Sequence, residues 1–249
     1  MSTAEYERDY RQSHQDHGDA YEEELKTSKF LHRQWEIERA SLALILNVQL
    51  RDKTRPRYLD FACGTGRIIE FCEDYMNESI GVDVSPSMLE VARNKVRRAE
   101  LLCHDLTASI PPELGKFDVI TAFRFFARAQ PCLRTEVIEV LTRLLKDDGI
   151  LIFNNHVRRE RLMMPTRRLY KGIMGRAKIP HCLADAEVEA LVSDIGLSIA
   201  KTIAIGAVPD RLRRVIPHNL SSRLERTVAK TTWGKRAAAS KIYVCKKES

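Results

Sequence analysis

Two carboxylates and a Gly-x-Gly turn stand at strand-like endings in the first half of this chain. Asp60 lies in the apolar run Tyr58-Leu59-Asp60-Phe61, four residues before Gly64. Gly64-Thr65-Gly66 follows, and Ile68, Ile69 and Phe71 then open a helical pattern. Strand, glycine turn and helix in that order make a cradle for a nucleotide-type ligand, because glycines let the backbone come close and a helix start offers free N–H groups. Asp83 and its neighbour Val84 end a second apolar run, 23 residues after Asp60. A carboxylate there can accept hydrogen bonds from both hydroxyls of a ribose. It is not needed as a helix cap, since Ser85-Pro86 already supplies a helix start. The dinucleotide fingerprint G-x-G-x-x-G is incomplete, with Ile69 in place of the third glycine. For proton transfer the candidates are histidines: His156, at the end of a later strand, and then His14 and His17.

The stretch Asp60-Phe61-Ala62-Cys63-Gly64-Thr65-Gly66 resembles motif I of the class I S-adenosylmethionine-dependent methyltransferases. Gly81 to Arg93 (GVDVSPSMLEVAR) resembles the motif that follows the ribose acid in that family. Lys116–Phe123 (KFDVITAF) is similar to its F-D-x-I/V signature, and LLKDDGILIFNNH to its L-k-p-G-G-x-l segment. The likeness covers roughly residues 55–155 by motif and continues more loosely by element order. It implies S-adenosylmethionine as methyl donor, S-adenosylhomocysteine as product, and no metal. In such proteins the acid at Asp60 faces the ligand's amino-acid moiety, and Ala62 stands where glycine is commoner. Asp105 would cap the adenine amino group, Leu106 would add apolar and backbone contacts, and Met88 would touch the adenine.

The elements that must carry these residues alternate strand and helix from residue 57 onward, which implies a mostly parallel sheet with helices on both faces. The expected strands are the Tyr58-Leu59-Asp60-Phe61 run, Ser79–Val84, Glu100–Cys103, Lys116–Phe123, Ile150–Asn155, Leu197–Ala207 and Lys241–Lys246, the last two an antiparallel pair in the family resembled. The expected fold is therefore a doubly wound, seven-stranded α/β sheet. Helices are expected at Leu133–Leu145, ending in an Asp147-Asp148-Gly149 turn, and at Asp185–Ile195, closed by Gly196. Phe123 and Arg124, at the C-terminal end of the fourth strand, should border the ligand groove, while Phe125 and Phe126 read as core anchors or groove residues.

Residues 1–52 read as a separate helical cap preceding the 53–249 domain. Tyr6, Tyr10, His14, His17 and Tyr21 recur every three or four residues, on one helix face that suits a lid, although Gly18 interrupts it. Tyr21 is a candidate substrate contact. Leu25–Leu50 forms a second amphipathic helix with Phe30, Leu31, Trp35, Ile37 and the Leu42–Leu46 run toward a core. Two basic insertions, 157–180 after the fifth strand and 208–236 after the sixth, are expected to form a substrate lid. The first carries eight arginines and lysines against Glu160 alone. Arg167 and Arg168 are its candidate substrate contacts.

The chain of 249 residues, 44% hydrophobic, is long enough for one full α/β domain with additions. No apolar run approaches a membrane span, and the polar N-terminus does not read as a signal peptide. Six scattered cysteines without a C-x-x-C pair fit reduced, mostly buried thiols in a cytoplasmic protein. The net charge of +7 is uneven, acidic over residues 1–30 and basic in the C-terminal half. Asn154-Asn155 is not the N-P-P-Y type of amino-methylating nucleic-acid enzymes. Arg124-Phe125-Phe126 and Asn154-Asn155-His156 resemble bacterial small-molecule enzymes acting on sugars, glycans and natural products. The leading expectation is O-methylation of a small, sugar or glycan acceptor bearing negative charge, with His156 as base. The alternatives are an RNA or protein methyltransferase, for which the basic insertions would be the footprint, and a non-catalytic cofactor-binding partner subunit. Nothing in the sequence sets the oligomeric state.

Overall fold

The structure, a computed structural model, describes Tyr10, residues 18–156, 183–208 and 240–248, and a few positions between 224 and 238. The 157–180 insertion, most of 208–236, and Tyr6, His14 and His17 lie outside the described residues.

Two helices come first, α1 (Gly18–Thr27) and α2 (Lys29–Gln49), the second capped by the Ser28 hydroxyl accepting the N–H of Leu31. The alternating part follows: β1 (Arg57–Phe61), α3 (Arg67–Cys72), β2 (Glu78–Asp83), α4 (Pro86–Arg93), β3 (Glu100–Cys103), β4 (Phe117–Ala122), α5 (Pro131–Leu144) and β5 (Leu145–His156). It ends with α6 (Asp185–Ser193), β6 (Leu197–Ile205) and β7 (Ser240–Lys247). These strands form one seven-stranded sheet in the order β3-β2-β1-β4-β5-β7-β6. Pairing is parallel from β3 to β5, and β7 runs antiparallel to both β5 and β6. The doubly wound, mostly parallel sheet expected from the sequence is the fold observed. Strand order reverses between β1 and β4, so the crevice above their C-terminal ends is where such a sheet binds ligands.

Alternate strand residues feed two cores, as a sheet covered on both faces requires. Leu59, Ile120, Leu151, Phe153 and Tyr243 pack toward α5 and α6, whereas Tyr58, Val119, Ile150, Ile152 and Ile242 pack toward α2, α3 and α4. At the N-terminal edge, Asp118 accepts the Arg57 N–H at 2.9 Å and the ammonium groups of Lys53 and Lys146 at 3.0 and 2.7 Å. This clamp lies at the opposite end of the strands from the crevice.

Three sequence expectations change in detail. The turn expected at Asp147–Gly149 lies inside β5, as an irregularity where pairing jumps from Phe117–Leu145 to Val119–Ile150. Cys63, Cys72 and Cys245 are buried free thiols, but Cys103 and Cys132 are exposed. The cap does not stop at residue 52 in physical terms: Leu42, Ile45 and Leu46 of α2 are buried in the same cluster as Tyr58, Val119 and Ile152. The apolar stripe at i, i+3 and i+4 makes the C-terminal half of α2 part of the core rather than a detachable lid. Among the described residues no helix is long and apolar enough to cross a membrane.

Leu46→Ala should therefore destabilise the whole protein by about 2–5 kcal/mol, the range for opening a cavity in a packed core. Chemical denaturation followed by both tryptophan fluorescence and circular dichroism checks this. A loss confined to the helical signal, with the sheet transition unmoved, would mark residues 1–52 as an independent unit.

Candidate active site

A cleft enclosing about 1040 Å³, open solvent at its mouth included, lies over the C-terminal ends of β1, β2 and β4. Its floor is the β1–α3 turn. Gly64 and Gly66 have φ of 55° and 81°, and Ala62 is also left-handed at 53°. For an alanine that conformation costs about 1–2 kcal/mol, so the replacement of the commoner glycine is less neutral than its small size implies. A Cβ on Gly66 would lie 2.9 Å from the Ala92 Cβ, whereas one on Gly64 would meet nothing within 4 Å. Gly66 thus seats α3 against α4, while Gly64 leaves open space over the turn.

Asp83 ties this floor to the next strand. Its Oδ2 accepts the Gly64 N–H at 2.8 Å and its Oδ1 accepts the Ser85 N–H at 2.9 Å. Burial pushes its carboxyl above the ordinary range, against the opposing pull of the Ser85, Gly64 and Val84 amides. Asp60 is 1% exposed. Its Oδ1 accepts the Thr121 hydroxyl at 2.6 Å, and Thr121 accepts in turn from Tyr58 at 2.6 Å. Asp60 Oδ2 is buried with no hydrogen-bond partner, and the residue lines the cleft. Burial raises this carboxyl to about 7, against the Thr121 and Ile69 hydrogen bonds, with the Asp83 charge adding to the rise. Asp105 folds back on its own chain, its Oδ1 accepting the Thr107 N–H at 2.9 Å and hydroxyl at 2.6 Å. That turn follows β3 and brings Leu106 into the apolar wall.

Eleven residues singled out from the sequence line this one cleft: Asp60, Ala62, Gly64, Asp83, Val84, Met88, Asp105, Leu106 and Phe123, with Tyr21 and Arg124. Gly66 is set behind the wall. His156 closes β5 opposite Ser240, but its side chain lies outside what the structure describes, as do Arg167 and Arg168. His104 bonds through Nε2 to the Ser109 carbonyl at 2.8 Å, a packing contact at the cleft rim. Phe126 is fully buried in the core, while Phe125 also reaches the cleft.

The sequence reading placed the Arg124–Arg128 segment at the groove, and Arg128 does line the cleft; it missed Arg67 and the depth to which Tyr10 enters. The Tyr10 ring meets Phe125 edge-on at 5.3 Å, its N–H donates to Gln130 Oε1 at 3.2 Å, and burial pushes its phenol well above the usual range. Arg67 follows the Gly-x-Gly turn directly, the one signal that pointed to it. Arg124 sits at φ 62°, a left-handed backbone that nothing in its neighbourhood of the sequence announces. Among the described residues, no group of three or more His, Cys, Asp or Glu is placed to hold a metal ion.

The glycine turn, with Asp60 near the end of β1 and Asp83 closing β2, places the cleft at the strand-order reversal of a doubly wound sheet. Residues 59–151 match the family model described as "Methyltransferase domain". The chain is 32% identical over 95 residues to an uncharacterized protein of Methanocaldococcus jannaschii, covering 38% of this chain and 35% of that one. It is 34% identical over 65 residues to the 18S rRNA (guanine-N(7))-methyltransferase of Bos taurus, covering 26% and 23% respectively. The chain thus spans about a third or less of the length of these curated relatives. Among solved structures, it superposes on the magnesium protoporphyrin IX methyltransferase of Synechocystis PCC 6803 with bound SAH. The TM-score is 0.61 at 15% identity, covering 94% of this chain and 96% of that one. The fold is that of the class I S-adenosylmethionine-dependent methyltransferases.

The raised Asp60 carboxyl gives a pH signature. The folded chain holds this proton above the unfolded value of 3.8, up to about 7, so between those limits it binds more protons than the unfolded chain. Stability from this group is present below about pH 4 and is lost as pH rises through 7. Asp60→Asn should therefore gain on wild type, by on the order of 1–4 kcal/mol, as pH moves from roughly 5 to 8.5. Thermal melting at both pH values checks it; parallel curves would place the Asp60 charge in a solvated setting.

Proposed function

We propose that this chain is an S-adenosylmethionine-dependent methyltransferase, acting on a hydroxyl of a small-molecule, sugar or glycan acceptor that bears negative charge. The observation that carries the cofactor assignment is Asp83, a half-buried carboxylate fixed by the Gly64 and Ser85 amides with its face to the cleft. Each oxygen retains a second lone pair for a ribose hydroxyl. The unpartnered Asp60 Oδ2 fits a donor such as an ammonium group, and the Asp105–Leu106 turn with Met88 suits an adenine. When bound, S-adenosylmethionine supplies a sulfonium-activated methyl group for in-line displacement. The protein's task is then to orient the acceptor, exclude water and take up a proton.

For the acceptor, support comes from the basic insertion at 157–180, which follows β5 and so leaves the sheet at its ligand-binding end. Arginine forks pair with carboxylate or phosphate, and Arg167 and Arg168 are assigned that role. His156, the last residue of β5, is assigned to deprotonate or orient the hydroxyl. The N-terminal segment, with Tyr10 and Tyr21 against the β4–α5 loop, is read as the lid. The second reading, an RNA or protein acceptor, draws on the same basic insertions and on the name of the bovine relative.

Titration calorimetry with S-adenosylhomocysteine tests the cofactor assignment. Wild type should bind, and Asp83→Ala should lose about 1.5–3 kcal/mol, the worth of hydrogen bonds to a charged group. Tighter binding of a nicotinamide dinucleotide would contradict the assignment.

Turnover separates the acceptor roles. Replacing Arg167 and Arg168 with alanine should raise the acceptor KM and leave cofactor affinity unchanged. His156→Ala should lower kcat by roughly 10²–10⁴-fold. A neutral acceptor turned over equally well by the arginine variants would remove the charge argument, and full kcat without His156 would remove the base.

A further inference from the structure

The helix α1 is fastened to the cleft by polar contacts and little else. Its sequence is GDAYEEELKT, in which Leu25 is the one large aliphatic side chain, 8% exposed and lining the cleft. The other attachments are charged or hydrogen-bonded. Glu22 Oε2 accepts from the Lys95 ammonium, just beyond α4, at 2.5 Å. The hydroxyl of Thr65, in the middle of the glycine turn, bonds the same carboxylate. Burial raises this carboxyl, but the Lys95 and Thr65 bonds outweigh it and hold the group below its usual range. One residue earlier, the Tyr21 hydroxyl accepts from Arg124 Nη1 at 3.0 Å. Gly18 lies so close to the start of α4 that a Cβ there would meet the Ser87 carbonyl oxygen at 2.5 Å.

Thus α1 reaches from α4 and the glycine turn across to the residue that follows the end of β4, and Tyr21 and Leu25 face the cleft. Its joint with the rest of the molecule is a single residue. α1 ends at Thr27, α2 begins at Lys29, and Ser28 between them is extended, with φ −78° and ψ 105°. Beyond that joint, Leu42, Ile45 and Leu46 fix α2 in the core. One buried leucine and one hydrogen bond to a charged group are of similar worth, so the Glu22 bonds hold α1 as firmly as its apolar burial does. An element with so few buried apolar contacts opens locally, well short of global unfolding. A second attachment, at Tyr10, is made to Gln130 and Phe125 and does not involve Glu22.

We propose that α1 is a lid hinged at Ser28 and latched by Glu22 between Lys95 and Thr65, and that release of this latch admits the cofactor and lets the spent product leave. The inference rests on the methyltransferase reading given above and adds to it the hinge and the latch. Neither Glu22 nor Lys95 lines the cleft, so the pair acts on passage and not on contact with the ligand.

Stopped-flow binding of S-adenosylhomocysteine to the full chain measures entry and exit separately. Glu22→Gln and Lys95→Met should each raise the association and dissociation rate constants together, by about 5–30-fold, with Kd changed far less than either. Lys95→Arg keeps a cation for Glu22 and should stay close to wild type. Gly18→Ala forces α1 off Ser87 without touching a charge, and should also speed both rates. Hydrogen exchange on the ligand-free protein gives the second readout. Glu22→Gln should lose protection across Gly18–Thr27 and keep it at Leu42–Leu46. A pair that only adds binding energy would raise dissociation alone, and that result overturns the proposal. So do rates indifferent to every variant, or protection lost equally at Leu42–Leu46. Wild type that takes up no S-adenosylhomocysteine would sink the methyltransferase reading instead. The latch is then judged by exchange alone, where full α1 protection in Glu22→Gln overturns it.

Discussion

The Asp83 carboxylate is the interaction on which the rest of the site depends. It closes β2, yet it accepts the amide of Gly64 from the turn after β1 and the amide of Ser85 at the start of α4. One side chain thereby fixes the spacing of two loops and the entry of a helix. The glycine turn cannot shift without giving up the Gly64 amide's bond to Asp83. Because the same oxygens face the cleft, the tie that rigidifies the cradle also presents a negative edge to it. Asp60, one strand away, adds a second buried carboxyl whose free oxygen points to the same need for a donor.

Opposite charge is concentrated along a different wall. Arg124, Glu38 and Asn154 join α2, β5 and the segment after β4 through two hydrogen bonds and an ion pair, and Arg67 of α3 lies over the Trp35 ring of α2. The arrangement explains why α2 is folded into the core: Glu38 lies on its buried face, in line with Leu42, Ile45 and Leu46. The first helices are thus part of the site's construction and not only its cover.

The fold was legible where local chemistry and position coincide. Strand boundaries fell within two residues except at the start of β5, because apolar runs ended in turn residues and the first three strands carried a polar marker at or near their ends: Asp60, Asp83, Asp105. Ser85-Pro86 announced α4, and the positive φ of 72° at Gly196 follows α6 as its glycine implied. What was not legible depends on contacts distant in sequence. The amide of the left-handed Arg124 is met by Asn154, 30 residues on, and its guanidinium by Glu38 on a helix laid down before the sheet. The irregular start of β5 is a matter of register with Phe117, which no local pattern encodes. Arg67 drew no reading from the sequence, because its setting comes from Trp35 and Arg124, both distant in the chain.

A crystal structure of the protein with S-adenosylhomocysteine tests the central claim most directly. The account predicts the ribose hydroxyls within hydrogen-bonding distance of Asp83, the adenine against Asp105 and Leu106, and the amino-acid arm beside Asp60. A ligand whose sugar lies away from Asp83, or a cleft that takes up a dinucleotide in its place, would contradict it.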